Sequence, residues 1–311
     1  MTRRGQFRRP EGARFVFSVL AMLAAVGHTS LARADDPLPP LPPLTDPATG
    51  VARPGKIVWA DLFVDDVDRA RAFYTELFGW TWRWITPDRR TYGILEHNGL
   101  HIAGIAYLDP DKAEDPYGRW VHYLSTDDVD GVADATVASG GRILLAPRVH
   151  AERGEFAIAA DSEGAIFGLL NSRSGDPGDY RAEEGEWLWH VLYSRQVNSS
   201  ALFYEERFDY ELFEYAWNDE TRRLVLASQD YARASISPIP EDDADSRPAW
   251  IGLVKTADVP GAVARAEALG AEVLFAPSPD VHNNGIALIA DPLGGIIGLL
   301  SWVTTDGEDQ P

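Results

Sequence analysis

The sequence predicts an α+β fold in which four βαβββ modules pair into two domains. Residues 119–170 match residues 249–300 without a gap, and residues 59–80 match residues 189–210 at the same offset of 130. Each half also contains two copies of a pattern in which a strand, a turn and a helix precede three short strands. The chain is therefore a tandem duplication whose halves have the size of ordinary domains.

The opening strand and helix of a module are clearest in VWADLFVDDVDRARAFYTELFG, residues 58–79, and in WVHYLSTDDVDGVADATVASGG, residues 120–141. In both, an apolar strand runs into an Asp-Asp-Val-Asp turn. Asp66 and Asp128 are placed to accept hydrogen bonds from the first amides of the helix that follows. The first helix has one apolar face at helical spacing, made by Val67, Ala70, Phe73, Tyr74 and Leu77.

Three short strands complete each module. In the second module they are RILLAPRV, EFAIAAD and AIFGLLN, with DSEG as the turn between the last two. Such a module covers one face of its sheet with the helix and leaves the other face for a second partner. The predicted domains span residues 56–174 and 186–303, joined by a turn-rich, acidic linker at 175–185.

The ends of the chain differ in composition from the repeats. Residues 1–34 combine a basic start, the apolar run FVFSVLAMLAAV and small residues at Ala32 and Ala34, which is the order of a signal peptide. Its removal predicts a periplasmic or secreted protein; retention as a membrane anchor is the alternative. Residues 35–55 are rich in proline and predict an extended linker, and residues 304–311 form an acidic tail.

Charge and cysteine content exclude several classes of binding partner and of metal site. The chain has 28 basic and 48 acidic residues and no cysteine. Without residues 1–34, which hold six arginines and one glutamate, the net charge is −25. Such a charge repels phosphate backbones and anionic lipids, so we expect no nucleic-acid partner and no stable insertion into a membrane after cleavage. Disulfides and cysteine-ligated metals are excluded. The oligomeric state stays open.

The strand, VDDVDRARAFYTELFGW, and a final strand of pattern DxxGxxxGL beginning at Asp161 resemble the vicinal oxygen chelate superfamily. This superfamily includes glyoxalase I, extradiol dioxygenases and bleomycin-resistance proteins. The resemblance covers roughly residues 56–303, and the motifs W-x-D-L, FY, LFGW and AGI are similar to its glyoxalase-like branch. It implies that two modules curl around one ligand cavity, and hence one cavity in each half.

The resemblance also implies where a divalent metal would bind, because catalytic members hold it with His and Glu from the first and last strands of each module. The corresponding positions here are Trp59, Gly104, Val121 and Gly168 in the first half and Trp189, Ser235, Ile251 and Gly298 in the second. Only the serine among them carries a side-chain oxygen, whereas a divalent site needs three or four N or O donors. We therefore expect no metal and no cofactor.

Strand alternation predicts what the cavities contain instead. In the first half the expected ligand-binding residues are Trp59, Asp61, Phe63, Trp82 and Tyr123. In the second half they are Trp189 and Tyr193, while Val191 replaces the acid. Aromatic rings stack on flat ligands and attract cations, so the partner we expect is a small aromatic or cationic molecule. His122 and His190 have the opposite parity and are expected to pack against the helices.

Two other functions stay open on this reading. One is a metal-dependent lyase or dioxygenase with relocated ligands, starting from Asp61 and a loop histidine. The other is a non-catalytic interaction scaffold that acts through its acidic surface or its proline-rich segment. Fold alone does not decide among them, because one scaffold hosts many activities.

Overall fold

The computed structural model describes residues 40–86, 90–110, 118–216, 222–241, 243 and 246–302. The predicted signal peptide, its cleavage site and the acidic tail lie outside these ranges. No helix within them has the length and apolar character needed to cross a bilayer.

The first half contains two helices and eight strands, and the second half repeats the same order. The elements of the first half are β1 (Ile57–Val64), α1 (Val67–Phe78), β2 (Thr81–Trp84), β3 (Tyr92–His97), β4 (Leu100–Tyr107), β5 (Arg119–Ser125), α2 (Val129–Ala138), β6 (Arg142–His150), β7 (Gly154–Ala160) and β8 (Ile166–Ser172). Those of the second half are β9 (Trp187–Ser194), α3 (Val197–Phe208), β10 (Glu211–Ala216), β11 (Arg222–Ser228), β12 (Tyr231–Pro238), β13 (Ala249–Lys255), α4 (Val259–Ala268), β14 (Glu272–Phe275), β15 (Ile286–Ala290) and β16 (Ile296–Leu300).

Each half forms one eight-stranded sheet from two βαβββ modules, which confirms the predicted architecture. The strand order is β2-β3-β4-β1-β5-β8-β7-β6 in the first sheet and β10-β11-β12-β9-β13-β16-β15-β14 in the second. Within a module the first and last strands are parallel neighbours, as β1 and β4 are. The two modules join through their first strands, and β1 and β5 run antiparallel. The first strands of the two modules therefore meet at the centre of each sheet.

Aspartates begin three of the four helices. The side chains of Asp66, Asp128 and Asp258 accept hydrogen bonds from backbone amides three residues on, at 2.8–3.0 Å. The predicted roles of Asp66 and Asp128 are thus confirmed. Helix α3 differs, because Gln196 stands at its cap position and makes no side-chain cap bond.

The helix-covered faces of the two sheets, called the inner faces below, pack against each other. One buried cluster combines α1 residues such as Phe73 and Tyr74 with Ala266 of α4. Another combines Phe167 of β8 with Tyr204 of α3. Burial of this apolar surface joins the halves into one body and leaves the opposite, outer face of each sheet free for other contacts.

Two matching hydrogen-bonded groups cross this interface and are called the interface triads. Trp120 Nε1 donates to the Tyr74 hydroxyl at 3.0 Å, and that hydroxyl donates to Asp291 Oδ2 at 2.7 Å. In the second triad, Trp250 Nε1 donates to the Tyr204 hydroxyl at 2.8 Å, and Tyr204 donates to Asp161 Oδ2 at 3.0 Å. The repeated Phe-Tyr pair therefore does more than pack helix on sheet, since its tyrosine bonds to the other half.

The N-terminal strap, residues 40–50, lies across the first domain. Leu44 is 6% exposed and joins the cluster on the outer face of the first sheet, with Leu41 packed beside it. The Thr45 amide donates to Ser174 Oγ at 3.0 Å, and the Leu41 amide donates to His150 Nε2 at 3.2 Å. The sequence predicted an extended spacer over residues 35–55. Its described part instead packs on the fold, because its leucines find an apolar sheet face to cover.

Candidate functional site

Asp61 lies at the centre of the outer face of the first sheet. It stands on β1 opposite Gly104 of β4 and Val121 of β5. The carboxylate is buried, and its Oδ1 accepts hydrogen bonds from Trp59 Nε1 at 2.9 Å and from the Tyr92 hydroxyl at 2.8 Å. Tyr123 lies in the same buried cluster as Trp59 and Tyr92. Three strands thus place an aromatic wall around one acid.

Two glycines make room for this arrangement. A Cβ atom at Gly104 would overlap Asp61 Oδ1 and the Tyr92 hydroxyl, and a Cβ at Gly168 would overlap the Tyr123 ring. Gly104 and Gly168 are two of the positions at which catalytic relatives would carry a metal-binding glutamate. Side chains of the neighbouring strands fill that volume here.

The residues present do not fit the divalent metal that the superfamily implies. Of the four corresponding positions in the first half, Trp59 offers only an N–H donor, and Gly104, Val121 and Gly168 offer no side-chain donor atom. Within the described ranges, no three or more histidines, aspartates or glutamates are grouped so that they could hold a metal ion. Asp61 is instead bonded to aromatic N–H and O–H groups, which are not metal ligands in this arrangement.

Arg153 brings a positive charge to the same face. It precedes β7, is 3% exposed, and its guanidinium carbon lies 4.3 Å from the centroid of the Trp59 ring. None of its three guanidinium nitrogens has a hydrogen-bond partner. The outer face of the first sheet therefore holds a buried acid and a buried base, and the base keeps all its donors unused.

Burial sets the protonation of these groups. It raises the pKa of Asp61, against hydrogen bonds from Trp59 and Tyr92 and the nearby positive charge of Arg153. Burial, followed by the negative charge of Asp61, raises the pKa of Tyr92 and of Tyr123 well above the usual tyrosine value. Both hydroxyls are therefore neutral hydrogen-bond donors over the physiological range.

The strap lies beside a groove that is open to solvent. This groove of about 480 Å³ lies between strap residues 40–42 and the turn at residues 150–152. Arg153 follows that turn directly. Leu41, which lines the groove, also packs against the aromatic cluster.

The structure brings together part of the predicted set. Trp59, Asp61 and Tyr123 lie in one buried group, and Phe63 packs at its margin. Trp82 lies elsewhere: it packs with Trp84 on the inner face, beside α1. Trp80, Trp82 and Trp84 share one face, and Trp80 stacks on Tyr74 of α1, so the whole row packs toward the helices.

The outer face of the second sheet lacks the charged pair. Trp189 is half-buried and donates from Nε1 to Ser235 Oγ at 2.9 Å, and Tyr193 lies half-buried nearby. At the offset of 130, Val191, Leu253 and Asn283 replace Asp61, Tyr123 and Arg153. The two halves share a fold and differ in the chemistry of their outer faces.

Tyr92 and Arg153 are the site residues that the sequence did not reveal. Tyr92 has the same parity on β3 as Ile94, which lies on the outer face, so a reliable strand register would have found it. Arg153 sits in a turn, where alternation gives no direction for a side chain. In the sequence, Arg153 is distinguished only by its replacement with Asn283 in the other repeat.

A family model and several curated proteins are similar to parts of this chain. The family model described as the Glyoxalase/Bleomycin resistance protein/Dioxygenase superfamily matches residues 56–169. The anthracycline biosynthesis protein DnrV of Streptomyces peucetius is 28% identical over 163 residues, which cover 49% of this chain and 59% of that protein. The putative glyoxylase CFP32 of Mycobacterium bovis is 31% identical over 124 residues, or 40% of this chain and 46% of that protein. The matches thus span about half the length of these curated relatives.

Solved structures with the same fold are more distant in sequence. The Mn(II)-bound glyoxalase from Novosphingobium aromaticivorans aligns with a TM-score of 0.55 at 17% identity, covering 81% of this chain and 83% of that one. The 2,2',3-trihydroxybiphenyl 1,2-dioxygenase from Sphingomonas wittichii strain RW1 aligns with a TM-score of 0.54 at 13% identity, covering 80% and 91%. These likenesses concern the fold. The family model thus matches the first half of the fold, at residues 56–169, and the second half repeats the same order of strands and helices.

Proposed function

We propose that this protein is an exported binder of a small aromatic molecule, which it holds on the outer face of the first sheet without a divalent metal. The observation that carries the proposal is the aromatic group of Trp59, Tyr92 and Tyr123, which surrounds a buried acid beside a buried arginine and is covered by strap residues. Ligand sites are commonly apolar, with a few polar groups that orient the ligand. This face has that composition.

The donor set supports binding without a metal. The positions of the superfamily's metal ligands hold an indole, a valine and two glycines, and the space above the glycines is filled by Asp61, Tyr92 and Tyr123. A lyase or dioxygenase reaction of the superfamily type needs open coordination positions on a metal. Relocated ligands would have to come from Asp61, whose Oδ1 is already engaged by two donors.

The aromatic part of the predicted ligand is better supported than the cationic part. Asp61 is the group that could pair with a cation, but it accepts two hydrogen bonds and lies near the positive charge of Arg153. A cationic ligand would meet that charge at short range. An aromatic ring needs only the faces and edges of the surrounding side chains, where stacking geometries stabilise it.

Strap residues are part of the proposed site. Leu41 and Leu44 cover the aromatic cluster, so a ligand that enters the face must displace them or fit between them and the sheet. The hydrogen bonds that hold this end of the strap include those from the Leu41 and Thr45 amides. Binding is therefore expected to come with a local movement of residues 40–45.

A thermal-shift screen of small aromatic compounds against the purified protein tests the proposal. A ligand at 100 times its dissociation constant should stabilise the native state by about 2.7 kcal/mol. Tyr123→Leu, which copies Leu253 of the second half, should reduce the shift, whereas Tyr193→Leu on the other sheet is the matched control and should preserve it.

Three results would contradict the proposal in different ways. No shift across a broad library would favour a scaffold role. One tightly held equivalent of zinc, iron or manganese per purified chain would favour the metal-dependent enzyme. An N-terminus that begins at Met1 in protein recovered from the producing cell, in place of the expected Asp35, would contradict cleavage after export.

A further inference from the structure

We infer that Arg153 is an anion receptor in the first domain, so that the molecule bound there carries a carboxylate or a similar planar oxyanion beside its aromatic ring. The inference rests on the proposed function and names the charge of its ligand. It assigns a binding role to a residue outside the positions at which the superfamily holds its metal.

Arg153 is a buried positive charge whose N–H groups have no hydrogen-bond acceptor. Its side chain is 3% exposed, and Nε, Nη1 and Nη2 are sealed from solvent without a hydrogen bond. A guanidinium has five N–H donors and stays charged in proteins. Buried charges are normally paired and hydrogen-bonded, because removal of a charge from water without such compensation is very unfavourable.

The neighbouring groups compensate this charge only in part. The Trp59 ring, 4.3 Å from the guanidinium carbon, attracts the cation through its π face. The N–H groups lie in the plane of the guanidinium, and a ring contact does not provide an acceptor for them. The charge is thus held in place while its hydrogen-bonding capacity is left for something else.

Asp61 carries the nearby negative charge, but its carboxylate accepts no hydrogen bond from Arg153. Its Oδ1 takes the hydrogen bonds of Trp59 and Tyr92, and no nitrogen of Arg153 is bonded to it. Asp61 therefore lowers the electrostatic cost of the buried arginine from a distance. It leaves the donors of Arg153 available to an oxyanion.

The second half gives a natural comparison for this group. Where the first half has Asp61 and Arg153, the second has Val191 and Asn283 on the same fold. The fold itself thus does not need an arginine at this position. Its presence in one half alone, buried and without a hydrogen-bond partner, points to a ligand group.

A carboxylate matches the donors best. Two carboxylate oxygens can accept two parallel N–H bonds from one guanidinium, and such charge-assisted pairs are stronger than neutral ones. The rings of Trp59, Tyr92 and Tyr123 then lie beside the remainder of the ligand. The Tyr92 and Tyr123 hydroxyls stay protonated, so they repel no anion.

Calorimetric titration of the full chain with matched probes tests the inference. The probes are benzoate and 2-naphthoate, their neutral counterparts benzamide and 2-naphthamide, and the cation benzylammonium. The side-chain Nε–Hε resonance of Arg153, assigned by its loss in Arg153→Asn, is followed by NMR in the same titrations. In the wild type, we expect a carboxylate to bind at least about tenfold more tightly than its amide and to shift this resonance.

Variants of Arg153 separate the effect of its positive charge from that of its planar guanidinium. Arg153→Asn, which copies Asn283, should bring the carboxylate-to-amide ratio close to one while amide binding persists. Arg153→Lys keeps the charge without the planar fork and should retain part of the preference. Arg173→Asn removes an exposed arginine nearby in the chain and should keep the full ratio.

The possible outcomes distinguish the two proposals. Equal binding of carboxylate and amide, or tighter binding of benzylammonium, would overturn the inference and leave the proposed function standing. A carboxylate preference that survives in Arg153→Asn would also overturn it. Absence of any binding or resonance shift with all five probes would overturn the inference, and the broad thermal-shift screen would then decide the proposed function separately.

Discussion

Asp61 and Arg153 carry opposite charges inside a group of side chains that is otherwise aromatic and apolar. Each lowers the cost of the other's burial, although no hydrogen bond joins them. The acid also anchors Trp59 and Tyr92, which fixes both rings in one orientation.

Removal of both members of the pair should cost less stability than the two single removals added together. Asp61→Val leaves an uncompensated buried arginine and is expected to lower the free energy of unfolding by about 3–5 kcal/mol. The double variant Asp61→Val, Arg153→Asn copies the second half and should lose less than the sum of the single variants, with a coupling of about 0.5–3 kcal/mol. Urea unfolding of the four proteins measures this coupling. Additive losses would show that the two charges act independently.

The limits of sequence reasoning are clear at this scale. Trp59, Asp61 and Tyr123 were found because strand alternation fixes which side chains share a face. Trp80, Trp82 and Trp84 share a face, and the packing of Trp80 against α1 decides which face that is. Strand alternation does not encode this tertiary contact. Arg153 enters the site from a turn, and its direction is set by the surrounding fold.

Among the elements, the four helices show how one local rule is repeated with one exception. Three begin at an aspartate that caps the first turn, and the aspartate in the repeated DDVD turn made two of these starts readable from the sequence. Helix α3 begins at Gln196, which lacks a cap bond, and the sequence around it has no Asp-Asp-Val-Asp turn. Its position was readable only through its match to α1.

Helix α3 should therefore be open to stabilisation. Gln196→Asp supplies the carboxylate that the other helices use, and Gln196 is exposed, so no packing is lost. We expect the free energy of unfolding to rise by about 0.5–2 kcal/mol. Gln196→Ala is the control and should have little effect, because no cap bond exists to be lost. Chemical denaturation of the three proteins measures these free energies of unfolding. An unchanged free energy of unfolding in Gln196→Asp would contradict the capping argument.

The strap shows why composition alone misjudged one element. Proline content predicted an extended spacer, but two leucines within the strap meet an apolar sheet face. Whether such a segment packs depends on what surface the rest of the chain offers. That surface is a property of the assembled sheet.

At the scale of the whole molecule, the interface triads join the halves. Tyr74 and Tyr204 each connect a tryptophan of their own half to an aspartate of the other. Tyr74→Phe would leave a buried indole N–H and a buried carboxylate without that partner, at an expected cost of about 1–3 kcal/mol. Tyr204→Phe should cost a similar amount because its surroundings are the same in kind. Thermal unfolding would show both losses, and a strongly unequal pair would contradict the symmetry argument.

The buried histidine pair predicts a response to acid. His122 and His190 lie with ring centroids 4.9 Å apart between the halves. Burial lowers the pKa of His122 to about 3, and burial and His122 lower that of His190 well below the usual value of 6.5. Because the folded-state pKa lies below the unfolded one, their contribution is present above pH 6.5 and declines as the pH falls toward 3.

A variant is needed to isolate this effect, because buried aspartates act in the opposite direction. Burial raises the pKa of Asp161 to about 6, so its contribution declines as the pH rises from 3.8 through 6. His122→Phe removes the contribution of His122 and leaves the buried aspartates in place. Between pH 7 and pH 5, urea unfolding should show a smaller loss of stability in this variant than in the wild type. Equal losses in both proteins would contradict the assignment.

The reciprocal bonding of the triads has a consequence for the ancestry of the chain. If the halves were separated, Tyr74 would lack Asp291, and Asp161 of the same half would lack Tyr204. These two unmatched groups are complementary, so two copies of a single half can satisfy each other through an isologous, two-fold exchange. Fusion of two such copies makes the assembly independent of protomer concentration. It also frees the copies to diverge, so that one outer face could lose its charged residues while the other kept them.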